Sequence, residues 1–170
     1  MERNMFKIFL LFVVSAINLF AAIPSPSNQA KNIIKFQGAL QGGVAGNGFS
    51  LLKISKLFFQ QTNSERWIVD IGDLKGKANK GLPGYYHVQM VQNPPQMIVN
   101  FNQMPVSVFN DTELTKMIKS SVFVSKGKLL SDPTDKTLTM IFDLKKPAQL
   151  KVLQVKGQKE TSKLVFDLFL

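Results

Sequence analysis

Leu138-Thr139-Met140-Ile141-Phe142-Asp143-Leu144 carries the pattern on which the fold turns. Leu138, Met140, Phe142 and Leu144 alternate with Thr139, Ile141 and Asp143. A strand sends successive side chains to opposite faces, so a period of two marks a half-buried strand. The pattern recurs outward in both directions. Trp67, Val69 and Ile71 alternate with Ile68 and Asp70, and Tyr86, Val88 and Met90 with His87 and Gln89. Met97, Val99 and Phe101 form a third set, Leu150 and Val152 a fourth, and Leu164, Phe166 and Leu168 a fifth. Turn residues separate these runs: Lys80-Gly81-Leu82-Pro83-Gly84, Asn93-Pro94-Pro95, Ser131-Asp132-Pro133 and Lys156-Gly157. Two more strands are expected at 50–60 and 121–126. Asn110-Asp111-Thr112-Glu113 before Leu114–Ile118 reads as the N-cap of one or two helical turns. Roughly eight short strands with little helix predict an all-β fold of two packed sheets.

A four-residue pattern repeats within these strands: Ile68-Val69-Asp70-Ile71, Ile98-Val99-Asn100-Phe101, Ile141-Phe142-Asp143-Leu144 and Val165-Phe166-Asp167-Leu168. Each half of the chain reads as strand with Asp or Asn, turn, strand, turn, strand with Asp or Asn. Self-similarity of this kind means one structural unit used twice. The expected architecture is a sandwich of two symmetric, antiparallel, roughly four-stranded sheets with an internal pseudo-repeat, spanning residues 49–170. The recurring carboxylates are expected to maintain the fold, by accepting turn N–H groups or pairing with a lysine on the next strand. Their spacing brings no two of them together as a glycosidase requires.

The N-terminus reads as an address. Arg3 and Lys7 precede an uncharged apolar run from Ile8 to Phe20, and Ala21-Ala22 lead into Ile23-Pro24-Ser25-Pro26. This describes a secretory signal peptide over residues 1–22, cleaved at Ala21 or Ala22. The run falls short of the ~20 residues of a comfortable span, so no stable membrane span is expected after cleavage. Residues 23–48 hold Pro24, Pro26, Gly38, Gly42, Gly43, Gly46 and Gly48. They read as a linker or extended arm, with at most an edge strand at Ile33-Ile34-Lys35-Phe36.

Composition narrows the chemistry. The 170 residues include no cysteine and one histidine, His87. Disulfides and thiolate metal sites are excluded, and a zinc site of about three protein ligands is not expected. A nucleophile–His–acid site could use only His87 as base, which reads instead as an ordinary strand-surface imidazole. The chain is therefore expected to be no enzyme, with no catalytic residue, metal or cofactor. Lys and Arg exceed Asp and Glu to give a net charge of +10. Beyond Arg3 the sole arginine is Arg66, and the lysines are dispersed. Readers of base edges rely on the arginine fork, so nucleic acid is not an expected partner. The basic balance suits the anionic polymers of a cell envelope.

Three stretches together resemble the AMIN domain: Lys136 to Pro147, Leu150 to Val155 and Lys163 to Leu168. Tyr86 to Phe101 matches the same pattern in the first half. The resemblance covers roughly residues 49–170. It implies an exported β-domain that binds peptidoglycan and places an envelope machine, ahead of a periplasmic N-acetylmuramoyl-L-alanine amidase or within a type IV pilus secretin. The implied location is the periplasm. The implied partners are peptidoglycan and a cell-wall amidase or division machinery. The zinc amidase domain that normally follows has no residues here, the sequence running to Leu170. The alternative is a protein-interaction module of a pilus or secretin assembly, working through strand edges or the 105–120 segment. This sequence departs from the family pattern at Gln96, where a basic residue is usual, at Asn100 in place of Asp, and in an insert from Lys75 to Gly84.

The expected contact residues follow from polymer chemistry. Sugars are held by aromatic faces and hydrogen-bonding groups, and peptide stems by cations. Tyr85 and Tyr86 point to opposite faces, and Tyr85 shares its side with His87 and Gln89, which favours it for the surface. Arg66 and Lys163, near strand starts, could meet stem carboxylates. Lys75, Lys77 and Lys80 form the densest basic stretch. Trp67 is assigned to the core, as are Phe58, Phe59 and Phe123.

Overall fold

Eleven strands and one helix follow one another in the chain. They are Ile33–Lys35 (β1), Gly38–Gly42 (β2), Ser50–Phe59 (β3), Ser64–Gly72 (β4), Tyr86–Gln92 (β5), Pro95–Phe101 (β6), Val106–Ser107 (β7), helix Asp111–Lys119 (α1), Val124–Asp132 (β8), Thr137–Leu144 (β9), Gln149–Val155 (β10) and Ser162–Phe169 (β11). The computed structural model describes residues 32–45, 48–77, 79, 81–157 and 161–170; the expected signal peptide lies outside them. One sheet has six strands in the order β1-β10-β11-β4-β3-β7, the other five in the order β2-β5-β6-β9-β8. All pairings are antiparallel except β3 with β7.

The sheets are therefore larger than the four strands each that the sequence suggests. The additions come from outside the alternating runs. Residues 23–48 were expected to give a linker with at most one edge strand; instead β1 pairs with β10 and β2 with β5, one at an edge of each sheet. A corner at Phe36-Gln37 carries the chain from one sheet to the other, with Phe36 at φ 56°. Val106–Ser107 adds the parallel edge strand.

The two long hairpins close in the same way. Residues 60–63 join β3 to β4 and residues 133–136 join β8 to β9, and each link ends on a left-handed residue, Asn63 (φ 44°) or Lys136 (φ 54°). Each hairpin also carries a register shift near its far end, between Leu51 and Lys53 and between Val124 and Lys126. Such bulges sharpen the local twist and bend a strand over the core.

The inward residues of both sheets meet in one apolar core. The Trp67 ring of β4 lies 4.6 Å from that of Phe142 on β9, which joins the two layers. Each large side chain buried in this way contributes roughly 1.5–3 kcal/mol. Helix α1 packs along β8. Asn110 caps it by accepting from the Glu113 N–H, while the Glu113 side chain accepts from the Asn110 N–H. Leu114 and Ile118 face the core. A Cβ on Gly127 would collide with Ile118 and Phe142, so the close seat of the helix on β8 requires glycine there. Trp67 and Phe123 are buried as the sequence suggests. Phe58 and Phe59 are not: they are 42% and 40% exposed. They end β3, beyond the short stretch that β7 covers.

Among the described residues, one acidic side chain is buried. Glu65, fully enclosed, accepts from Trp67 Nε1 at 2.8 Å, Ser121 Oγ at 2.5 Å and the Val122 N–H at 2.8 Å. Lys56 Nζ stands 3.8 Å away. A buried carboxylate is tolerable only when its oxygens are satisfied this fully. Here it ties the segment after α1 to strand β4.

Candidate functional site

The outward residues of the central strand pairs form a repeated device. On the six-stranded sheet, Arg66 stands opposite Asp167, Ile68 opposite Val165 and Asp70 opposite Lys163. Arg66 grips Asp167 with two hydrogen bonds, Nε to Oδ1 at 2.6 Å and Nη2 to Oδ2 at 2.8 Å. Lys163 Nζ donates to Asp70 Oδ1 at 2.7 Å. Hydrogen bonding to Asp167 raises the pKa of the Arg66 guanidinium against the opposing effect of burial. The guanidinium also stacks over Phe59, 5.3 Å from the ring centre. On the five-stranded sheet, Gln96 stands opposite Asp143, Ile98 opposite Ile141 and Asn100 opposite Thr139. Gln96 Nε2 donates to Asp143 Oδ1 at 2.8 Å, and Thr139 Oγ1 to Asn100 Oδ1 at 2.8 Å.

This geometry places the sequence-predicted residues plainly. The recurring acids and amide do pair across to a neighbouring strand. Arg66 and Lys163 are consequently committed to carboxylates of their own chain, and neither offers an open cation. Lys75 and Lys77 are exposed, and their backbone N–H groups both donate to Asp73 Oδ1, at 2.9 and 2.8 Å. Lys80 lies outside the described residues. Tyr85 is 53% exposed, while Tyr86 is buried.

Tyr85 stands between two open clefts at one corner of the five-stranded sheet. One, of about 480 Å³, is lined by Val44, Ala45, Phe49, Asn102, Gln103 and Lys136 as well as Tyr85. The other, of about 540 Å³, adds Gln41, His87 and Tyr86. The Asn102 N–H donates to the Tyr85 carbonyl at 2.9 Å, which fixes the ring's backbone beside that amide. At the opposite corner a shallow groove of about 530 Å³ runs between Lys126, Lys128, Ile141, Gln96 and Asp143. Neither lysine has a carboxylate partner among the described residues. Sequence reasoning missed this pair. The available signal was Lys126-Gly127-Lys128, which in a strand puts both ammonium groups on one face.

The outer face of the five-stranded sheet thus offers an aromatic ring, amide side chains and open cations. With strands about 4.8 Å apart, it is ~19 Å wide. That arrangement can hold an extended polymer. Among the described residues no cluster of three metal-ligating side chains occurs, and no helix is long and apolar enough to cross a membrane. No protein-family model matches the chain, and no curated protein does.

Proposed function

We propose that this is a non-catalytic, exported module that binds peptidoglycan in the periplasm and so positions an envelope complex such as a cell-wall amidase. The binding surface is the outer face of the five-stranded sheet. The reading rests chiefly on the open lysines Lys126 and Lys128 on the same face as the exposed ring of Tyr85. Glycan strands present hydroxyl and acetamido groups that suit Tyr85, Gln41, Asn102 and Gln103. Peptide stems present carboxylates that suit the two lysines and Lys136. The three recurring aspartates are engaged otherwise: Asp70 and Asp167 with cations, Asp143 with an amide. The signal-like N-terminus and the resemblance of residues 49–170 to the AMIN domain agree with an envelope role.

The same reading includes a duplicated ancestry. The strand order β10-β11-β4-β3 becomes β5-β6-β9-β8 when each strand of one half is replaced by its counterpart in the other. The hairpin turns, bulges and paired polar residues follow the same exchange. Each half thus lends one hairpin to either sheet, and neither half could close a core alone.

Co-sedimentation with isolated sacculi tests the reading. The wild-type chain pellets with the wall, less so as salt screens the lysines. Lys126→Glu combined with Lys128→Glu abolishes pelleting, Tyr85→Ala weakens it, and Arg66→Ala leaves it unchanged. A wild-type chain that stays in the supernatant at low salt rejects wall binding.

A further inference from the structure

Sheet edges expose unpaired backbone groups, and proteins blunt them with short strands, lysines, bulges or cover. Three of the four edges here are blunted. β7 has two residues, and β1 has three and ends on Lys35. β8 carries a bulge, Lys126 and Lys128, and its Leu129 N–H donates to Asp111 of α1 at 3.0 Å. The fourth edge, β2, reads Gly38-Ala39-Leu40-Gln41-Gly42, without charge or proline. Among the described residues its only neighbouring strand is β5. Gly42 has a local reason, since a Cβ there would strike the Tyr86 hydroxyl. Ala39 and Gln41 have no such reason to be small or neutral.

Hydrogen-bond parity shows which groups face the open side. The Asn102 N–H donates to the Tyr85 carbonyl, so Tyr85, His87 and Gln89 turn their backbone groups toward β6. Tyr86, Val88 and Met90 then turn theirs toward β2. Gly42, Leu40 and Gly38 stand opposite those three and face β5. The N–H and C=O groups of Ala39 and Gln41 are left on the edge.

We propose that two copies of the chain join antiparallel through β2, with Ala39 of each opposite Gln41 of the other and Leu40 meeting Leu40 on the two-fold axis. The register pairs outward-facing groups with outward-facing groups and forms about four backbone hydrogen bonds. The edge fits a second copy because it complements itself. Leu40, partly buried against the core, meets its own counterpart on the inner side. Phe36 and Val44, each 40% exposed, lie two residues beyond either end of β2, and the two-fold brings Phe36 of one copy toward Val44 of the other. The five-stranded sheets then merge, with both outer faces on one side and the Tyr85 clefts flanking the seam. Bivalent attachment to the wall is a consequence that rests on the proposed function; the pairing itself does not.

Sedimentation equilibrium without wall material tests the pairing. The wild-type chain shows a monomer–dimer equilibrium between micromolar and millimolar concentration. Ala39→Lys at an exposed site, and Gln41→Pro, which removes an N–H that β5 does not use, each weaken it about tenfold or more. Circular dichroism checks that both variants are folded. Because the chain has no cysteine, Leu40→Cys places two thiols at a pair of Cα atoms about 4.5 Å apart, within disulfide reach. Mild oxidation gives a covalent dimer, whereas Lys35→Cys and Lys128→Cys stay monomeric. A chain monomeric at millimolar concentration overturns the proposal. So does a dimer indifferent to Ala39→Lys, or equal cross-linking from Lys35→Cys. None of these readouts involves the wall, so failure here and failure of sacculus binding are distinguishable.

Discussion

On the six-stranded sheet, Arg66 and Lys163 close onto Asp167 and Asp70; at the matching places of the five-stranded sheet, Thr139 and Gln96 close onto Asn100 and Asp143. Cross-strand polar pairs of the same geometry are thus made with ions in one layer and with neutral groups in the other. The first face closes Arg66 and Lys163 onto its own carboxylates, while Lys35, Lys53 and Lys151 stand on it without such partners among the described residues. The second leaves Lys126 and Lys128 pointing outward without partners among the described residues. Strand pairing alone therefore explains Arg66 and Lys163, but it does not explain Lys126 and Lys128. The contrast extends inward. Glu65 on β4, opposite Leu168, holds a buried hydrogen-bond network, whereas Leu138 on β9, opposite Phe101, is ordinary core.

The largest effect expected from breaking this contrast is at Glu65. Glu65→Leu copies the other layer but strands the Trp67, Ser121 and Val122 donors and the nearby ammonium of Lys56. Urea unfolding should register a loss of about 3 kcal/mol. A loss below about 1 kcal/mol would show that the segment after α1 is held by packing alone. Next comes Arg66→Ala, with an expected cost of about 1–2 kcal/mol, against about 0.5–1 kcal/mol for Thr139→Ala. High salt should shrink the first cost and leave the second unchanged, because only the first pair is ionic. Gln96→Lys sharpens the comparison by giving Asp143 the partner that Asp70 has. It should stabilise by up to about 0.5 kcal/mol in the same assay.

A smaller effect concerns pH. Burial raises the pKa of Tyr86, with the Gln154 amide opposing it. The unfolded chain then loses this proton first, so Tyr86 contributes stability below the ordinary tyrosine range that is lost as pH rises past about 10. Tyr86→Phe should flatten that alkaline limb in thermal melts; an unchanged limb would assign it to other groups.

Much of this fold can be read from period-two alternation. Trp67, Val69, Phe142 and Phe166 announce their inner faces, and Asp70 and Asp167 announce pairing with a neighbouring cation. The capping box at Asn110 and Glu113 marks the helix. β2 escapes because five residues, two of them glycine, are too short for the alternation to show, whereas Ile33-Ile34-Lys35-Phe36 reads as at most an edge strand and β1 forms there. β8 begins three residues later and runs six further than expected, since an edge strand bearing Lys126, Lys128 and Asp132 lacks an apolar signature over that stretch. Phe58 and Phe59 mislead because apolar residues at the end of an edge strand have nothing to cover them. The candidate site was less legible. Tyr85 follows from its opposition to Tyr86, but the partners of Arg66 and Lys163 lie 101 and 93 residues away in sequence. Only the register of β4 with β11 shows that those cations are already engaged.

The most direct measurement is an amide-resolved NMR titration of the protein with soluble peptidoglycan fragments carrying intact peptide stems. The account predicts shifts confined to the outer face of the five-stranded sheet, around Tyr85, His87, Asn102, Lys126 and Lys128, with Arg66, Ile68 and Lys163 unmoved. Shifts centred on the six-stranded sheet, or none at millimolar ligand, would contradict it.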